Sequence, residues 1–157
     1  MKRINQLCLV LLMVFVSFMM IGCSDREPIV KADFIATMTD AGFNVIDISH
    51  EFVEFDDVDY LVLAIAPSGE YQVEFVQLAT IAVAHETFVT TRQRLENQAG
   101  SSSSTTSTEV ANYRRFTITS NGQYAHLYLV ENTMILVDWV DASLRNEIRE
   151  LVGKFEN

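Results

Sequence analysis

Several residue types on which protein chemistry often rests are scarce in this chain: two prolines, six glycines and two cysteines among 157 residues. With so little glycine there is no phosphate-cradling loop, and the Gly-x-Ser-x-Gly and Ser-x-x-Lys patterns of serine nucleophiles are missing as well. Both cysteines, Cys8 and Cys23, lie near the N-terminus. From Ser24 onward no disulfide, cysteine zinc site or cysteine nucleophile can form. Positive charge is short too, with 11 Lys and Arg against 21 Asp and Glu and a formal net charge of −10. No basic stripe exists, which argues against nucleic acid as a partner, and the same imbalance keeps the chain from lying flat on anionic lipid. No cofactor is expected.

What the chain has in plenty is an apolar leader. Lys2 and Arg3 precede an apolar run from Leu7 to Ile21 interrupted only by Ser17, and Gly22 supplies the small residue before a cut, so the three parts of a secretory signal stand in order. A helix from Leu7 to Gly22 would reach roughly 24 Å, short of the ~30 Å hydrocarbon core. An uncleaved anchor is the weaker reading.

The segment Met20-Ile21-Gly22-Cys23 resembles the lipobox of bacterial lipoproteins, with Met20 where Leu is usual. That resemblance implies a signal peptide over residues 1–22 and a diacylglyceryl thioether on Cys23, which would make lipidated Cys23 the link to the membrane. Two acyl chains, at ~0.8 kcal/mol per buried methylene, hold a domain stably where one would not. An ordinary cleaved signal is the alternative. Loss of Lys2 and Arg3 with the signal takes the charge to −12. Residues 23–30 then form the lipidated terminus and an extended tether interrupted by Pro28, which keeps the domain within roughly 25 Å of the bilayer.

Residues 31–157 read as a single α+β domain. Phe34, Ile35, Met38 and Ala41 mark a helix ended by Gly42. A strand over residues 44–50 follows, then the acidic stretch from Glu51 to Asp59. Strands over 60–66 and 71–76 flank a turn at 67–70, and a helix over 78–97 carries a stripe through Leu78, Ile81, His85, Phe88, Val89 and Leu95. The Ser/Thr-rich run within 99–112 has a composition that favours a flexible linker. Beyond it come strands at 113–120, 124–130 and 133–139, with a hairpin signal at Asn121-Gly122, and a last helix to Phe155 that buries Leu144, Ile148, Leu151, Val152 and Phe155. The expected architecture is a mostly antiparallel sheet with helices on one face, in two strand-strand-strand-helix halves after the leading helix.

The segments Ala41 to Val45, Tyr71 to Phe75, Tyr113 to Gly122 and Asn132 to Leu136, with the Ser/Thr run between them, are similar to those of small, functionally uncharacterised lipoproteins of Gram-positive bacteria. That resemblance implies location and order of elements, and no catalytic motif comes with it.

Two places stand out as candidate sites. On the strand 124–130, Tyr124, His126 and Tyr128 share one face, opposite Ala125, Leu127 and Leu129 on the expected core side. Flanked by Arg115 and Thr117 from the neighbouring strand, they read either as a partner-binding surface for an envelope protein or as a β-favouring solvent face. The second place is His50 with Glu51, Glu54, Asp56, Asp57 and Asp59, which reads as a metal site of a small metal-dependent hydrolase or as a solvated loop that guards strand edges. His85 lacks the second His that a metalloprotease helix needs four residues on, where Val89 stands.

The expected role is a non-enzymatic, membrane-anchored interaction module. The metal-dependent enzyme is the alternative, and solute capture for a transporter comes after it because 135 mature residues are few for a two-lobed receptor. Cys23→Ser is expected to shift the protein from the membrane to the soluble fraction of fractionated cells; retention in the membrane would point back to an uncleaved anchor.

Overall fold

The structure is a computed structural model that describes residues 25–156. The leader, Cys23 and Ser24 lie outside the described residues, and so do the expectations that fall on them. Among the described residues no helix is long and apolar enough to cross a membrane.

The described residues form one seven-stranded antiparallel sheet flanked by three α-helices. In order these are α1 (Lys31–Asp40), β1 (Asn44–Asp47), β2 (Val58–Ile65), β3 (Gln72–Leu78), α2 (Ile81–Gln98), β4 (Ser103–Val110), β5 (Tyr113–Ser120), β6 (Gln123–Val130), β7 (Thr133–Asp141) and α3 (Arg145–Gly153). Across the sheet the strands run β1-β2-β3-β7-β6-β5-β4. The two halves therefore share one sheet, joined where Glu74 to Gln77 of β3 pair with Leu136 to Thr133 of β7. The α+β class and the antiparallel pairing agree with the sequence reading.

The helices lie on both faces rather than one. Phe34 and Met38 of α1 and Ile148 and Val152 of α3 pack with Phe75, Tyr128 and Ile135 on one side. Ala84, Phe88 and Leu95 of α2 pack with Phe116, Leu127, Leu129 and Leu136 on the other. The physical reason is in the central strands, where every residue from Tyr124 to Val130 and from Thr133 to Val137 is buried. A strand with no solvent face needs cover on both sides.

Four local readings change with the structure. The presumed linker at 99–112 contains β4, paired residue for residue with β5 from Ser103–Ser120 to Val110–Tyr113. The second half thus has four strands, not three. β1 stops at Asp47 and a 3₁₀ turn at Ser49–Phe52 replaces its expected continuation, because the Asp47 carboxylate accepts hydrogen bonds from the Ser49 amide and hydroxyl and folds the chain back. Leu78 ends β3 instead of opening α2, whose N-cap is Thr80, its hydroxyl oxygen accepting the Val83 amide at 3.2 Å. The buried stripe of α2 is accordingly Ala84, Phe88 and Leu95, and Ile81 and Val89 are exposed.

Arg26 and Ile29, which fall in the segment expected to be an extended tether, pack against the domain. Arg26 donates from Nη1 to the Tyr128 hydroxyl at 2.7 Å, and its guanidinium lies 3.9 Å from the Tyr113 ring centroid. Its backbone is clasped by Asn112, whose Oδ1 accepts the Arg26 amide at 3.0 Å and whose Nδ2 donates to the Arg26 carbonyl at 2.7 Å. Ile29 is buried, and its amide donates to the Thr133 hydroxyl at 2.9 Å. Only three chain steps, at most about 11 Å, separate Cys23 from this clasp.

Phe34 is fully buried, stacked on Phe75 at a centroid distance of 5.1 Å and beside Phe155 at 5.6 Å. Phe34→Ala is expected to cost about 3–5 kcal/mol, read as a fall in the urea midpoint at unchanged m-value.

Candidate functional site

β5 and β4 extend past the edge of α3, and the corner between that helix and this uncovered shelf of sheet is a cavity of about 390 Å³. Thr106, Thr117 and His126 come from three adjacent strands; their pairings, Thr106 with Thr117 and Thr117 with His126, set them in a row across one face. Arg115 enters from β5, and Arg145 and Arg149 enter from α3. The two helix arginines are spaced i, i+4, which puts both on the same side of α3.

Charge in this cavity runs against that of the molecule. Three of the chain's 11 basic residues line it, so their gathering is more than a share of a basic surface. Arg115 is held by Glu156, donating from Nη1 to Oε2 at 2.9 Å and to Oε1 at 3.2 Å. Glu156 also lies 3.8 Å from Arg26. Among the described residues the side chains of Arg145 and Arg149 make no hydrogen bond or ion pair. Glu150 is the other carboxylate in the lining.

His126 sits at the floor, 2% exposed. Its Nδ1 lies 3.2 Å from the Tyr124 hydroxyl, while its Nε2 is buried without a hydrogen-bond partner. Burial first, then the positive charges of Arg115 and Arg149, hold the ring's pKa down at about 3. The imidazole is neutral at any physiological pH. Burial likewise pushes the Tyr124 hydroxyl up to about 12 and raises that of Tyr128.

The proposed exposed stripe of Tyr124, His126 and Tyr128 is therefore a correction: all three are buried beneath α3 and the N-terminal segment. Alternation placed them together on one face correctly, but that face is covered. Arg115 stays half-exposed and reaches the cavity. The acidic stretch gathers no site either. Among the described residues no three of His, Cys, Asp or Glu come together as metal ligands, His50, Asp56, Asp57 and Asp59 included. Asp57 instead serves the fold through its carbonyl, which accepts the Ala79 amide at 3.1 Å.

The sequence reading places Thr117 and Arg115 beside His126, whereas Arg145, Arg149 and Thr106 join the site unannounced by it. The i, i+4 arginine pair was the available signal, since like charges at that spacing cost an isolated helix a few tenths of a kcal/mol. No family model, no curated protein and no solved structure matches this chain. Its class rests on the fold alone, an α+β domain with a single antiparallel sheet.

The depressed pKa of His126 has a defined sign in stability. Below pH 6.5 the unfolded chain takes up a proton at this ring that the folded chain refuses until about pH 3, so stability falls as pH drops through that window. The contribution is at most about 1.4 kcal/mol per pH unit. His126→Gln is expected to flatten the unfolding free energy between pH 6.5 and 4, and an unchanged slope would show that the ring is free to titrate.

Proposed function

We propose that the protein is a bacterial lipoprotein held on the extracytoplasmic face of the cell membrane through Cys23, and that its domain is a non-enzymatic interaction module which pairs β4 with an extended strand of an envelope partner. The leader and Met20-Ile21-Gly22-Cys23 support the anchor. The clasp at Arg26 supports a domain seated close to the bilayer, with the end of the sheet that carries the Ala111-Asn112 and Glu131-Asn132 turns nearest to it. That same end holds Val30, Val53, Phe55 and Ile81, all exposed, which suits a surface close to lipid.

The observation that carries the interaction reading is β4. It is one of the two outer strands, eight residues long, regular in its pairing and exposed over most of its length. Edge strands are commonly blunted by Lys, Pro or bulges. β4 has none of these, and its one charge, Glu109, is drawn towards Arg92 and Arg114 at 3.6 and 3.8 Å. An unguarded edge offers its backbone groups to an incoming strand, where main-chain bonds give affinity and alternate side chains give selectivity. The sequence reading placed the partner surface on β6; the structure buries that surface and leaves β4 open.

Ser104→Lys with Ser107→Lys guards the edge while touching only exposed side chains, so stability is expected to stay within about 0.5 kcal/mol. A photo-crosslinking residue at Thr105 is expected to join the parent protein to one discrete envelope partner and to lose that product in the double variant. An undiminished crosslink would overturn pairing at β4.

A further inference from the structure

We propose that the cavity between α3 and the shelf of β4, β5 and β6 is a binding site for an oxyanion, the carboxylate or phosphate group of a small solute. It does not depend on strand pairing at β4. Three independent features converge. The cavity is large enough, at about 390 Å³, for a small organic anion. Its cations are available: Arg115 is matched by Glu156, which leaves Arg145 and Arg149 against Glu150 alone among the lining charges. Its floor holds a buried polar atom, Nε2 of His126, that nothing in the described protein satisfies.

A buried, unpaired ring nitrogen costs stability unless a partner arrives. The tautomer in which the Tyr124 hydroxyl donates to Nδ1 carries the ring proton on Nε2, a buried, unpartnered donor on a residue that lines the cavity, and an acceptor ligand selects that tautomer. Arginine forks, this N–H and the Thr117 hydroxyl can then all donate to one ligand. A group rich in acceptor oxygens and negative charge meets that set, and guanidinium recognises carboxylate and phosphate with paired hydrogen bonds. A cation meets it badly.

The test uses the full mature protein in nonionic detergent, titrated by calorimetry with inorganic phosphate and with citrate, at constant ionic strength set by chloride. Saturable one-to-one binding of either anion is expected, and the two titrations separate phosphate from carboxylate preference. The Arg145→Met, Arg149→Met double variant removes exposed side chains without hydrogen bonds or ion pairs in the described structure, so it should fold with an unchanged melting temperature and bind about tenfold or more weakly. Arg149→Lys should recover part of the loss. In the parent, the His126 Nε2–H resonance should shift on saturation. Absence of binding at about 10 mM of both anions, where even a millimolar site would be filled, would overturn the proposal, as would equal binding by the double variant or a His126 resonance that does not move.

Discussion

Two-sided burial of β6 and β7 is the constraint on which the rest of this structure depends. Seven consecutive residues of β6, Tyr124 to Val130, have no solvent face, and a fully buried large apolar side chain contributes roughly 1.5–3 kcal/mol relative to exposure. Such strands can exist only at the centre of a sheet with a layer on each side. That demand sends α2 across one face and brings α1 and α3 to the other. It also pulls Tyr124, His126 and Tyr128 inside, where each polar tip needs a partner. Tyr128 meets Arg26, Tyr124 meets His126, and Nε2 of His126 is left over at the floor of a cavity.

The edges of the sheet follow from the same arrangement. With β3 and β7 joined at the centre, β1 and β4 become the two outer strands. β1 is only four residues long and is closed off by the Asp47–Ser49 turn, whereas β4 is twice that length and open. Serine and threonine suit such a strand, because threonine favours extended backbone and neither residue asks to be buried. The composition that suggests a flexible linker is also that of an exposed edge strand.

Charge is distributed with comparable economy. A chain of formal charge −10 places Arg115, Arg145 and Arg149 around one cavity and Arg26 beside them, near the same Glu156 that holds Arg115. Glu156 thus links the C-terminal end of the described chain, β5 and the N-terminal segment. Three arginines against Glu150 and Glu156 leave the cavity's lining with a positive excess inside an acidic molecule.

Local pattern alone determined much of this protein. Alternation in residues 124–130, the Asn121-Gly122 turn and the apolar stripe of the last helix depend on periods of two and 3.6 that are written in neighbouring residues, and the structure reproduces them with Ile148, Leu151 and Val152 buried and Asn121 and Gly122 both at positive φ. Three things only the tertiary structure decided. Whether the Tyr124 face meets water depends on α3, which follows β7 and folds back over that face. Whether Ser103 to Thr108 form a strand depends on the ladder of β5, and whether Arg26 is tether or domain depends on Asn112, 86 residues away. The cavity is the clearest instance: Thr106, Arg115, His126 and Arg149 meet through strand order and helix placement, and a pairing between distant segments leaves no period in the sequence to read.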